Sequence, residues 1–216
     1  VIGILKMHRI IVTYNLLMFH PKATLDEINT NILFIKEHPG YPFDFGRAEI
    51  VAGSPLERQV IRDGLRQGNW PNWDYRIEDG DVDRMFRISL ATFRRPDSGY
   101  SRLAHSLIAL AYGSSAAQRL CPGPAAEDMG TETGALITKS TGFVLDQILK
   151  MYALTATESP MEELDRLAGS VHDGCGTPIL EREFTPDFFA SHPIDFWISD
   201  YFRQCEEIAE SEVFDV

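Results

Sequence analysis

Residues 43–57 have the sequence FDFGRAEIVAGSPLE, and this stretch decides the fold. Its first part, 43–52, is rich in aromatic and β-branched side chains, which favours a strand. The second part has the order that starts a helix. Ser54 is a good N-cap, Pro55 suits the first helical position and Glu57 suits the third. We therefore predict a strand over about 43–52 that leads directly into a helix.

The same pattern occurs once upstream. Residues 9–19, with the sequence RIIVTYNLLMF, are nearly all apolar and predict a strand buried on both faces. Thr24 and Glu27 then form a capping box, which predicts a helix to about residue 37. The second helix, which starts after Ser54, is expected to end near Gln67. The order strand, helix, strand, helix is typical of a parallel α/β sheet or barrel.

The downstream part of the chain has a different character. We expect an aromatic-rich loop over 69–75 and, after it, helices only. The predicted helices cover about 82–94, 101–111, 134–155, 160–168 and 193–210.

The predicted fold class is therefore α+β and mostly helical. Two parallel strand–helix units form a partial (β/α) barrel over 1–68, and an all-helical region follows over 69–216. Two strands alone do not make a stable parallel sheet. We therefore expect a partner that supplies the missing barrel half, either the same longer chain or a separate subunit.

Composition and charge exclude several classes of protein. The chain has 216 residues, and its 44% hydrophobic and 24% charged residues are typical of a globular protein. The first 100 residues carry as many basic as acidic side chains, so the net charge of −12 falls on 101–216. This acidic balance argues against nucleic acid as a partner. No apolar run reaches the roughly 18 residues that span a bilayer, so we expect no membrane association. Three widely spaced cysteines favour reduced thiols in the cytoplasm.

Four segments together resemble a known family. They are NLLMFHPKATLDE at 15–27, PFDFGRAEIVAGSPLE at 42–57, DGLRQGNW at 63–70 and CPGPA at 121–125. In this order they resemble the C-terminal part of radical S-adenosylmethionine proteins that also carry a cobalamin-binding domain. The resemblance covers about residues 12–154.

The resemblance implies a fold, cofactors and a chemistry. The fold would be the last two strand–helix units of a radical S-adenosylmethionine barrel with its C-terminal cover. The complete family binds S-adenosylmethionine and a [4Fe–4S] cluster, in some members with cobalamin. It methylates or rearranges small-molecule substrates at unactivated carbons. The cluster needs three cysteines in the pattern C-x-x-x-C-x-x-C, which this sequence lacks.

This missing motif leaves three functional hypotheses. The chain is the C-terminal portion of such an enzyme and is not competent alone, or it is the second half of a split enzyme. In the third hypothesis it is a non-catalytic helical interaction module that docks through an exposed sheet edge.

Candidate site residues lie in and after the two strands. Arg47 and Glu49 are two apart and share one face, so they are candidate catalytic residues in an enclosed site or a structural ion pair. Asn15, in the first strand, is a candidate cofactor ligand, and His20 at its end is a candidate acid–base group or a simple turn residue. We expect no metal ligands.

The turn at Gly53, Ser54 and Pro55 is a further candidate site. By resemblance it lies near bound S-adenosylmethionine, whose carboxylate would suit the free N–H groups at a helix start. Simple helix capping explains the same three residues.

Overall fold

The computed structural model describes residues 2–8, 10–69, 71–94, 98–155 and 161–175. Within these ranges the fold is α+β and mostly helical, as predicted. The elements, in chain order, are α1 (Ile2–Met7), β1 (Tyr14–Phe19), α2 (Leu25–Glu37), β2 (Phe43–Arg47), α3 (Pro55–Arg62), β3 (Arg66–Asn69), β4 (Asn72–Tyr75), α4 (Gly80–Thr92), α5 (Tyr100–Leu120), α6 (Pro124–Thr155) and α7 (Met161–Cys175).

The two predicted strands pair in parallel, with Tyr14 opposite Phe43 and Leu16 opposite Phe45. Both are shorter than predicted. The ladder begins where the Tyr14 N–H donates to the Pro42 carbonyl. It extends no further upstream because Pro42 has no N–H to give. It ends where the Ala48 N–H donates to the Phe19 carbonyl, just before the chain turns away.

Burial of β1 on both faces is a wrong prediction. Met18 and Phe19 are buried, but Asn15 is exposed and Leu17 is 55% exposed. A parallel strand normally has both faces covered. The exposed side chains of β1 therefore mark a part of the sheet that no described element covers.

A hairpin replaces the predicted end of the second helix and the predicted loop over 69–75. Helix α3 ends at Arg62, because Gly64 takes a positive φ of 65° that breaks the helix. Strands β3 and β4 then pair antiparallel. Gly68 also has a positive φ, of 71°, and a Cβ there would overlap the Asn72 carbonyl. The prediction that 69–216 is all helical is thus wrong for β4.

Helices α5, α6 and α7 are longer than the sequence predicts. Helix α5 continues through Gly113, and α6 starts well before Gly134. Glycine weakens a helix by only about 1 kcal/mol, which tertiary packing overrides. The predicted helix over 160–168 corresponds to α7, which runs on to Cys175. The predicted helix over 193–210 lies outside the described residues.

One hydrophobic cluster joins the two predicted regions. It contains Phe19 and Phe45 from the sheet together with Phe93, Tyr100 and Ile148 from the helices. Phe45, Phe93 and Tyr100 pack ring against ring, with centroids 5.1–5.3 Å apart. The sheet is therefore held by the helices that follow it. None of the described helices is both long and apolar enough to cross a membrane.

Candidate functional site

A cavity of about 680 Å³ lies against β2 and its carboxyl end. The hairpin β3–β4 and helix α4 close its other sides. Three of the predicted site residues, Asn15, Arg47 and Glu49, line it. A pocket at the carboxyl ends of parallel strands is the usual place for a ligand in α/β folds. These three residues are thus brought together where the sequence predicts a site.

Arg47 is held between aromatic rings. Its Cζ lies 3.7 Å from the centroid of the Tyr75 ring and 4.6 Å from that of Phe86. Its Nη1 is 2.5 Å from an Asp74 carboxylate oxygen, and its Nη2 donates to the Tyr75 carbonyl. The side chain is only 17% exposed. The ion-pair partner of Arg47 is therefore Asp74 on β4, and none of the described contacts pairs it with Glu49.

Tyr75 ties the hairpin to the ends of both sheet strands. Its hydroxyl lies 2.6 Å from the Ala48 carbonyl oxygen and 3.1 Å from that of Phe19. The single proton of the hydroxyl serves one of these acceptors at a time. Burial raises the pKa of Tyr75, and the neighbouring guanidinium of Arg47 partly opposes this rise. The phenol therefore acts as a neutral donor that fixes the floor of the cavity.

Arg94 and Asp44 cap the outer edge of β2. The Phe45 N–H donates to the Asp44 carboxylate at 2.8 Å, and Arg94 donates to the Phe45 carbonyl. Arg94 also lies 3.1 Å from the same Asp44 oxygen. Both backbone groups of Phe45 are thus satisfied by side chains instead of by a neighbouring strand. The Arg94–Asp44 ion pair thus satisfies backbone groups of β2 that a neighbouring strand would otherwise bind.

No described residue caps the outer edge of β1 in the same way. Because backbone groups alternate in direction along a strand, and the Tyr14 N–H is directed at β2, Asn15 and Leu17 direct theirs outward. Among the described residues, β2 is the only strand hydrogen-bonded to β1, and no side chain bonds the backbone of these two residues. Within the described ranges the sheet therefore has one capped edge and one open edge.

Glu49 lies just beyond β2, and its side chain is exposed. None of the described ion pairs includes it. Burial is the main cause of the raised pKa of Tyr75, and the negative charges of Asp74 and Glu49 add to the rise. Glu49 is thus the one acidic side chain lining the cavity that has no described cationic partner, since Asp44 and Asp74 pair with Arg94 and Arg47.

His20 lies outside this cavity. Its Nε2 is 3.4 Å from a carboxylate oxygen of Glu27, and its carbonyl accepts the Ala23 N–H at 3.0 Å. The same Glu27 oxygen accepts the Thr24 N–H of the predicted capping box. These contacts are those of a turn residue beside a helix start. The structure does not bring His20 to the other site residues.

Gly53, Ser54 and Pro55 also lie outside the cavity and form the start of α3. The Ser54 hydroxyl accepts the Glu57 N–H at 3.1 Å, and the Gly53 N–H donates to the Glu57 carboxylate at 2.6 Å. Gly53 takes a positive φ of 78°. The Glu57 carboxylate therefore occupies a position in which a bound carboxylate would sit, and capping accounts for this turn in the described structure.

Sequence reasoning missed three residues of the site. Asp74 and Tyr75 were expected in a loop, and only their place in an aromatic run marks them. Arg94 carries no signal in the sequence, because its partners lie about 50 residues away. Each owes its position to packing between distant elements.

The described residues do not fit an iron–sulfur cluster. No group of three or more His, Cys, Asp or Glu side chains in the described ranges could hold a metal ion. Of the two described cysteines, Cys121 is half-buried and Cys175 is buried. Burial raises the pKa of the Cys175 thiol to about 12, whereas a ligand must be a thiolate. We derive no step through a cluster held by these residues.

Comparison with known proteins gave no match. No protein-family model, no curated protein and no solved structure matches this chain.

Proposed function

We propose that the chain is the closing part of a radical S-adenosylmethionine enzyme of the cobalamin-associated type. It would supply the last two strands of the barrel and a helical cover. Another polypeptide segment, in the same longer chain or in a separate subunit, would carry the cluster motif. The motif string at 15–27 and 42–57 supports the family. The observation that carries the proposal is the difference between the two sheet edges.

Natural proteins commonly protect the exposed edges of their sheets. Among the described residues only β2 is blunted, by Arg94 and Asp44, whereas β1 leaves Leu17 55% exposed and two residues with outward backbone groups. This difference supports a barrel that ends at β2 and continues beyond β1. The exposed Asn15 side chain, near the same edge, would then face the interior of the completed barrel.

The site residues suit a wall of such a barrel. Arg47, held by Tyr75, Phe86 and Asp74, would keep the β2 end rigid, and Glu49 and Asn15 would contact substrate or cofactor. When bound, the cluster and S-adenosylmethionine supply the electron and the radical, and this chain helps to exclude water. The free thiols Cys121 and Cys175 support a reducing compartment, for which we propose the cytoplasm.

The experiment starts from the coding sequence next to this chain. A reading frame there that encodes C-x-x-x-C-x-x-C and the earlier strands is co-expressed with the chain under anaerobic conditions. We expect the two to co-purify in equal amounts, and we expect consumption of S-adenosylmethionine that needs both. The absence of any such reading frame, upstream or adjacent, contradicts the proposal.

Two matched variants test whether the cluster-bearing polypeptide binds at the outer edge of β1. Leu17→Lys places a charge on the open edge of β1, and Leu149→Lys places one on an exposed position of α6. We expect the first to abolish co-purification and the second to leave it unchanged. Equal effects would place the contact elsewhere. Co-purification without consumption of S-adenosylmethionine would instead favour the non-catalytic interaction module.

A further inference from the structure

The positive charges that line the cavity against β2 are paired with carboxylates of the protein. Both arginines that line it are neutralised inside the protein, Arg47 by Asp74 at 2.5 Å and Arg94 by Asp44 at 3.1 Å. Their remaining contacts go to backbone carbonyls and to ring faces. Neither guanidinium therefore offers a free fork to a carboxylate or a phosphate, which is how arginine binds such groups.

The exposed polar groups of the cavity include the Glu49 carboxylate, which only accepts, and the Asn15 amide, which accepts and donates, whereas Arg47 Nε, which has no hydrogen-bond partner among the described residues, is buried. Glu49 has no cationic partner among the described residues, and its charge reaches the neighbouring Tyr75 phenol. The exposed amide of Asn15 also lines the cavity. With three carboxylates against two arginines, the lining carries one unbalanced negative charge.

Aromatic surface lies beside these polar groups. Trp73 and Phe86, both half-buried, line the same cavity. Each ring already faces an arginine guanidinium, Trp73 that of Arg66 at 5.8 Å and Phe86 that of Arg47 at 4.6 Å, so the two rings offer a ligand apolar surface and not a free site for its charge. A carboxylate next to such rings is the combination that binds an amine carried on an apolar or planar body.

We propose that this cavity binds a protonated amine, with Glu49 as its counter-ion and Asn15 as a hydrogen-bond partner. As the identity of a substrate the inference rests on the proposed function, but binding needs only this chain. The substrate class of the enzyme is then a small cationic amine, not an organic acid or a phosphate ester.

The test compares three probes that share one ring and differ in charge: benzylamine, benzyl alcohol and benzoate. Each is titrated into the isotopically labelled chain, and amide and indole resonances are followed by NMR. We expect saturable shifts at Trp73 and Asn15 with benzylamine. Benzyl alcohol should bind roughly fivefold more weakly, the difference typical of one partly exposed ion pair, and benzoate more weakly still.

Two variants test the role of Glu49. Glu49→Gln removes the charge with little change of shape, and Asp146→Asn removes an exposed carboxylate on α6 outside the cavity. We expect roughly fivefold weaker benzylamine binding for the first and unchanged binding for the second.

Three results would overturn the inference: no saturable shift with benzylamine, benzoate binding as well as benzylamine, or equal affinities in the two variants. Because co-purification with the cluster-bearing polypeptide does not depend on Glu49, failure here is distinguishable from failure of the proposed function.

Discussion

At the scale of single residues, two arginines act as structural parts of the sheet. Arg94 donates a hydrogen bond to the carbonyl of Phe45, and the guanidinium of Arg47 lies against the rings of Tyr75 and Phe86. Each is partly buried and paired with a carboxylate, so removing either leaves a carboxylate without its cationic partner and a backbone carbonyl without its arginine donor. Such losses are larger than those of exposed ion pairs.

Arg94→Ala is expected to destabilise the protein by about 2–3 kcal/mol, because a charge-assisted bond to a backbone carbonyl is lost. Arg84→Ala, an exposed arginine on α4, the helix that ends just before Arg94, is the matched control and should change stability by less than about 0.5 kcal/mol. Urea unfolding measures both. Similar values for the two variants would show that the β2 edge does not depend on Arg94.

Tyr75→Phe is expected to cost about 1–2 kcal/mol, because the carbonyl of Ala48 loses its donor in a buried place. Tyr112→Phe, at a position that is 53% exposed, should be nearly neutral. The same unfolding measurement compares the pair. A neutral Tyr75→Phe would mean that the hairpin is not tied to the strand ends through this hydroxyl.

At the scale of elements, local chemistry was predictable and long-range pairing was not. The capping box of Thr24 and the cap at Ser54 depend on residues three apart, and both form as expected. The pairing of Arg47 with Asp74 joins residues that are distant in sequence. It depends on the hairpin, which follows the helix end at Gly64 and whose strand β3 contains Gly68 at a positive φ. Nothing in the local pattern distinguished this hairpin from a loop.

Helices α6 and α7 meet at a glycine. A Cβ on Gly174 would overlap the ring of Phe143, whereas Gly142 on α6 has open space around it. We therefore expect Gly174→Ala to lower thermal stability and Gly142→Ala to raise it by up to about 1 kcal/mol through helix propensity. Calorimetry on the two variants checks the contact. Stabilisation by both would show that α7 does not pack there.

At the scale of the whole molecule, stability is expected to fall in alkali. Burial raises the pKa of Tyr14 from 10.0 to about 12 and that of Cys175 from 9.0 to about 12. Above its ordinary pKa, and up to about pH 12, each of these two groups has lost its proton in the unfolded chain but still holds it in the native state. Stability is therefore full below about pH 9 and is lost progressively as the pH rises toward 12.

Unfolding by urea at pH 8, 9.5 and 10.5 measures this decline. Cys175→Ala should remove the part that begins near pH 9, and Tyr14→Phe should reduce the part that begins near pH 10, to which the buried Tyr75 and Tyr100 also contribute. Each variant is compared with its own value at pH 8, so that any packing loss cancels. A rise of stability with pH, or an unchanged slope in both variants, would contradict the burial of these groups.

The sequence predicted the fold class and the parallel strand order, because apolar periodicity and helix starts are local signals. It named candidate site residues in and after both strands, and of these Asn15, Arg47 and Glu49 line one cavity, whereas His20, Gly53, Ser54 and Pro55 do not. It did not predict that β2 would be capped by Arg94, because that contact joins β2 to the end of α4. The difference between the sheet edges, on which the proposed function rests, is thus visible only in three dimensions.

Amide hydrogen exchange at β1 tests the central claim most directly. In the chain alone, the N–H groups of Asn15 and Leu17 should exchange fast, and that of Phe45, bonded to Asp44, should exchange slowly. In the complex with the cluster-bearing polypeptide, Asn15 and Leu17 should become as protected as Phe45. Protection of both residues in the chain alone, or continued fast exchange in the complex, would contradict a barrel that continues beyond β1.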